Sequence, residues 1–66
     1  MNVTINGKPN DVPEGLTVKE LVVHLGLGAG PVAVEINREI VPRAEHPARR
    51  VAAGDVIEIV HLVGGG

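Results

Sequence analysis

Apolar and polar residues alternate near both ends of the chain and follow a helical period in between. Val3-Thr4-Ile5-Asn6 reads as a half-buried strand, with Met1 on the same face as Val3 and Ile5. Asn6-Gly7 is a hairpin signal, because both residues tolerate positive φ. The return strand, about residues 8–12, is poor in apolar side chains and carries Pro9, which suits a sheet edge where a missing N–H costs little. After a turn at Pro13-Glu14-Gly15, Thr17 and Glu20 have the spacing of a capping box. Val18, Leu21, Val22 and Leu25 then form one apolar stripe, and Gly26 or Gly28 can close the helix in a left-handed cap.

Residues 28–31 read as a loop. Val32, Val34 and Ile36 share one face of a second strand region, and Asn37-Arg38 makes a tight turn into the short strand Glu39-Ile40-Val41, which Pro42 ends. Residues 43–50 are polar and contain Pro47, so a loop or one irregular helical turn is expected there. Val51-Ala52-Ala53 leads to a turn at Gly54-Asp55, which launches the strongest strand signal, Val56 to Leu62.

The element order is β-β-α-β-β-β. One helix can cover only one face of the sheet it packs on. The first and last strands carry the strongest apolar signals and belong side by side at the centre, running parallel, since the hairpins use up the antiparallel partners. The expected class is α+β: a ubiquitin-like β-grasp, with a mixed sheet of four to five strands and one main helix on one face. Residues 1–63 form the domain and residues 64–66 a flexible glycine tail. If Ile57 and Ile59 face the helix, Val60 and Leu62 point to the open face beside the tail. Ordinary surface scatter would explain two such residues, and so would a docking patch through which a partner grips the body.

Composition narrows the function. The chain has 66 residues, no Cys and no aromatic residue, so an aliphatic core must hold the fold without disulfides. A net charge of −2 and the lack of aromatic stacking platforms argue against nucleic acid. No apolar run approaches the roughly 18 residues that span a bilayer, and the N-terminus lacks the pattern of a secretory signal. The expected location is the cytoplasm.

No catalytic constellation is present. Thr4 and Thr17 are the only hydroxyl side chains; the first has no evident base and the second caps the helix. His24, His46 and His61 lack metal-ligand spacing and read as structural or solvated, so no metal is expected. Gly26, Gly28 and Gly30 follow a helix and precede a strand, the reverse of a phosphate loop. Arg49-Arg50 reads as a solvated pair. The remaining group is the carboxylate of Gly66. It is inert alone, but an ATP-using partner could make it an acyl-adenylate, and a sulfide equivalent could then give a thiocarboxylate. Gly64 and Gly65 suit threading through a narrow channel because they lack Cβ atoms. A frayed end of no consequence is the competing explanation.

These stretches together resemble the ThiS family of sulfur carriers in thiamine biosynthesis. The resemblance rests on Asn6-Gly7, Thr17-Val18-x-x-Leu21, Val32-Ala33-Val34-Glu35-Ile36-Asn37, Ile40-Val41-Pro42-Arg43, Gly54-Asp55-x-Ile57-Glu58-Ile59-Val60 and the ending Val63-Gly64-Gly65-Gly66. It implies a protein cosubstrate rather than an enzyme. A ThiF-type adenylyltransferase would use ATP and magnesium on Gly66, sulfur would come from a cysteine desulfurase, and a ThiG-type thiazole synthase would take it. The carrier itself would bind no cofactor. Arg43 is carried over as a candidate partner contact, against a salt bridge or hydrogen bond at the Pro42 turn. Carriers for molybdopterin or another thiolation route share fold and tail, as does a ubiquitin-like modifier that forms isopeptide bonds. A plain β-grasp binding module with an incidental tail is a third class.

Overall fold

A computed structural model describes residues 1–62. Strands β1 (Asn2–Ile5) and β2 (Lys8–Asp11) precede the helix α1 (Val18–His24). Strands β3 (Val32–Ile36) and β4 (Glu39–Val41), a 3-10 turn (Arg43–Glu45) and strand β5 (Val56–His61) follow. The five strands form one mixed sheet in the order β2-β1-β5-β3-β4. β5 lies at the centre, parallel to β1 as expected of the two strongest strand signals, and antiparallel to β3. Pro9 sits on the edge strand β2, opposite Thr4. The irregular helical turn expected within residues 43–50 is the 3-10 turn.

The helix closes one face of this sheet. Val18, Leu21 and Val22 from α1 meet Val3, Ile5, Val34, Ile36, Ile57 and Ile59 from the strands in one aliphatic core. Leu25 is the C-cap and only partly buried, so the apolar stripe is one residue shorter than its spacing suggests. Gly26, at φ 75°, takes the left-handed position that stops the helix, which settles the choice between Gly26 and Gly28. A seven-residue helix cannot hold itself together in water and depends on this packing and on its cap.

Both halves of the capping box are formed. The Glu20 N–H donates to Thr17 Oγ1 at 3.2 Å, and the Thr17 N–H donates to Glu20 Oε1 at 2.9 Å. The backbone hydrogen bond from Thr17 holds the Glu20 carboxyl below the usual carboxylate range. A depressed folded-state pKa contributes stability that is present above the unfolded value and is lost as pH falls through the folded one. Glu20→Gln is therefore expected to flatten the acid limb of the stability curve below about pH 4.5. Thr17→Ala is expected to lower stability by about 1 kcal/mol near neutral pH in urea unfolding.

Two asparagines bind the central strand from opposite sides. Asn6 and Asn37 sit at φ 49° and 51°, in hairpin turns that need the left-handed region. The Asn6 Nδ2 donates to the Ile59 carbonyl at 3.0 Å, and its Oδ1 accepts from the Ile59 N–H at 2.8 Å. Its side chain thus continues the β1 ladder where the β1 backbone has turned away. The Asn37 Oδ1 accepts from the Val56 N–H at 3.0 Å, and its Nδ2 donates to Asp55 Oδ1 at 3.0 Å. Asn6→Ala would strand a half-buried donor and acceptor at Ile59. We expect it to reduce stability by about 1–3 kcal/mol, read as a lower urea midpoint, with faster amide exchange at Ile59.

His46, read from sequence as structural or solvated, is structural. It is buried, with Nε2 3.0 Å from the Val41 carbonyl. A carbonyl only accepts, so Nε2 carries the proton. The His46 carbonyl in turn accepts from the Lys19 N–H at 3.0 Å, which joins this segment to the start of α1.

Candidate functional site: the open face of the sheet

The face of the sheet away from α1 has no helix over it, and strand alternation decides what it presents. Pairing of β3 with β5 sets Ala33 opposite Val60 and Glu35 opposite Glu58, and pairing of β3 with β4 sets Glu35 opposite Ile40. Directly paired residues share a face, so Ile40, Glu35 and Glu58 form one row and Ala33 and Val60 the next. Ile57 and Ile59 go into the core, which leaves Val60 and Leu62 outward at 58% and 50% exposure. This is the arrangement expected from sequence. Leu62 lies one residue beyond β5, where its N–H donates to the Pro31 carbonyl at 3.0 Å. The end of β5 is thereby tied to β3 just before the glycines.

Ile40 is the residue that sequence reasoning missed. At 78% exposure it is the most exposed large apolar side chain among the described residues. The signal was available: the two-residue turn at Asn37-Arg38 fixes the register, and with Val41 in the core, alternation sends Ile40 outward. A shallow concavity joins Ala33, Ile40, Pro42, Arg43 and Leu62, so the apolar patch runs to the end of β5. A second, lined by Ala33, Glu35, Ile40, Glu58 and Val60, places the two carboxylates among apolar walls.

Arg43 is exposed at the start of the 3-10 turn and borders this patch. The salt bridge or side-chain hydrogen bond weighed for it at the Pro42 turn does not occur among the described residues; its carbonyl accepts from the His46 N–H at 3.1 Å. The sites expected at Gly64, Gly65 and Gly66 lie outside the described residues, as does the boundary between domain and tail. His24 and His61 are exposed, and among the described residues no group of three or more His, Asp or Glu could hold a metal. No described helix is long and apolar enough to cross a membrane. Among the described residues the face is mostly apolar and carries two carboxylates, a composition that suits a protein contact.

The model of the ThiS family matches residues 3–66. The sulfur carrier protein ThiS of Thermus thermophilus is 41% identical over 64 residues, which cover 97% of this chain and 98% of that one. A thiazole synthase of Paramagnetospirillum magneticum is 41% identical over all 66 residues, and one of Magnetococcus marinus is 38% identical. The chain spans about a fifth of the length of these two synthases. The crystal structure of the thiamine biosynthesis protein ThiS from Geobacter metallireducens superposes with a TM-score of 0.85 at 40% identity, covering both chains fully. That likeness covers the whole mixed sheet and its single helix, the ubiquitin-like β-grasp expected from the element order. The chain belongs to the ThiS family.

Proposed function

We propose that this chain is a sulfur carrier that delivers sulfur, as a thiocarboxylate on Gly66, to the thiazole ring of thiamine. The observation that carries the reading is the continuity of an exposed apolar patch, Ile40, Val60 and Leu62, with the end of β5, from which the sequence passes directly into Val63-Gly64-Gly65-Gly66. The near full-length likeness to a protein named as a sulfur carrier supports it.

The chemistry belongs to partner enzymes. A carboxylate at the chain end is ionised at neutral pH and resists attack at carbon. On a ThiF-type adenylyltransferase, a Gly66 carboxylate oxygen attacks the α-phosphorus of ATP and pyrophosphate leaves, with magnesium held by that enzyme. The acyl-adenylate is then an electrophile. Terminal persulfide sulfur, supplied through a cysteine desulfurase, attacks the acyl carbon and expels AMP, and a thiol then cleaves the acyl disulfide to leave the thiocarboxylate and a new disulfide. The resulting thiocarboxylate gives its sulfur to a ThiG-type thiazole synthase. Gly64 and Gly65 enter the enzyme channels because backbone without Cβ fits and bends where other residues collide. The chain itself binds no cofactor; it supplies a grip and an arm.

Reconstitution with a thiazole synthase and its activating enzyme tests the reading. Thiazole is expected to form in proportion to the carrier added. A molybdopterin synthase given the same activated chain should yield no product. Product from the second system and none from the first would move the chain to the molybdopterin branch.

A further inference from the structure

The open face carries a feature that a plain apolar patch does not need. Glu35 and Glu58 are directly opposite on adjacent strands, and like charges so placed destabilise a sheet. The one ion pair among the described residues joins the N-terminal ammonium to Asp11, on the far edge of the sheet, so no lysine or arginine pairs with either glutamate there. The pair lies in a concavity walled by Ala33, Ile40 and Val60. A partner that covered those apolar walls would strip water from both carboxylates, which is expensive unless a cation arrives with it.

We propose that Glu35 and Glu58 form a receptor for one basic side chain of a partner protein, an arginine or lysine projecting from an otherwise apolar surface, and that this surface belongs to thiazole synthase. The inference rests on the carrier reading above. Charge complementarity supplies the cation: two carboxylates sharing one guanidinium or ammonium exchange mutual repulsion for two charge-assisted hydrogen bonds. The pair also rejects surfaces that are only apolar, so it gives specificity as well as attraction. The choice of synthase follows from the two thiazole synthases that match the whole of this chain within one longer polypeptide. In those proteins a segment similar to this chain is joined to the rest of the synthase.

The test compares Glu35→Gln and Glu58→Gln with the unaltered chain, in thermal unfolding and in calorimetric binding to purified thiazole synthase. A Glu14→Gln variant controls for net charge. Each substitution on the open face should leave the melting temperature equal or higher, weaken binding about tenfold and flatten its salt dependence. The control should match the unaltered chain. Unchanged affinity and salt dependence in both variants would overturn the receptor. Ile40→Asp and Val60→Asp separate that outcome from failure of the docking face. If they abolish binding while the glutamine variants bind normally, the face docks but takes no cation. If all four bind normally, the docking reading fails as well. The same signature found with the adenylyltransferase and not with the synthase would overturn the choice of partner.

Discussion

Deleting Gly65 and Gly66 is expected to abolish sulfur transfer completely and to leave the unfolding midpoint unchanged. The described core is closed by residues up to Ile59, and the last described backbone contact is that of Leu62 with Pro31. Transfer as proposed, by contrast, requires an acyl group at the end of a segment that reaches another protein's active site. Replacing Gly65 with Val keeps the length but adds a β-branched side chain that restricts the backbone and widens it. That variant should fold normally and be severely impaired in adenylation. Thiazole yield in the reconstituted system, read beside a urea unfolding curve, separates the two effects. A binding module with an incidental tail would keep its function in both variants. A protein modifier would lose it, but would also leave this chain in isopeptide linkage to lysines of other proteins, visible in tryptic digests.

Ile57→Ala should have the largest effect on the fold. Ile57 is fully buried near the start of the central strand, paired with Ile5 on one side and Ile36 on the other. Truncating a buried isoleucine to alanine costs about 2–5 kcal/mol, through lost transfer energy and the cavity left behind. A chain of 66 residues, at roughly 0.05–0.15 kcal/mol per residue, has only about 3–10 kcal/mol to lose. The variant is therefore expected to be largely unfolded at 37 °C, with a collapsed near-neutral unfolding midpoint and loss of amide protection along β5. On the proposed carrier reading function fails with it, because β5 carries Val60, part of the face proposed to meet partners. Ile57→Val, removing one methylene, should cost about 0.5–1.5 kcal/mol and keep the carrier active.

The central parallel pair of β1 and β5 was legible because each part of the pattern agreed with the others. Alternation in β1, β3 and β5, the Asn-Gly and Asn-Arg turns, and the capping box at Thr17 all pointed to one arrangement. What escaped depends on partners distant in sequence. Asn6 was read only as a turn former, yet its amide bonds the backbone of Ile59, 53 residues away. Nothing local in the sequence announces that contact. His46 sits in a polar segment and reads only as structural or solvated, but the segment folds against α1 and β4 and buries its ring. Of the candidate grip, Val60 and Leu62 were readable from alternation in one strand. Ile40 and the opposed glutamates required the register of three strands together, and an apolar trio such as Ile40-Val41-Pro42 reads as core until that register is applied. Gly64, Gly65 and Gly66 lie outside the described residues, and their role belongs to the proposed function.

One measurement bears most directly on the carrier function. The chain is incubated with its adenylyltransferase, ATP, magnesium and a sulfur donor, and its intact mass and C-terminal peptide are then determined. Carriage of sulfur on Gly66 predicts a gain equal to the difference between one sulfur and one oxygen atom, located on the terminal glycine and dependent on ATP. An unchanged mass, with an enzyme shown to be active on another carrier, would contradict it.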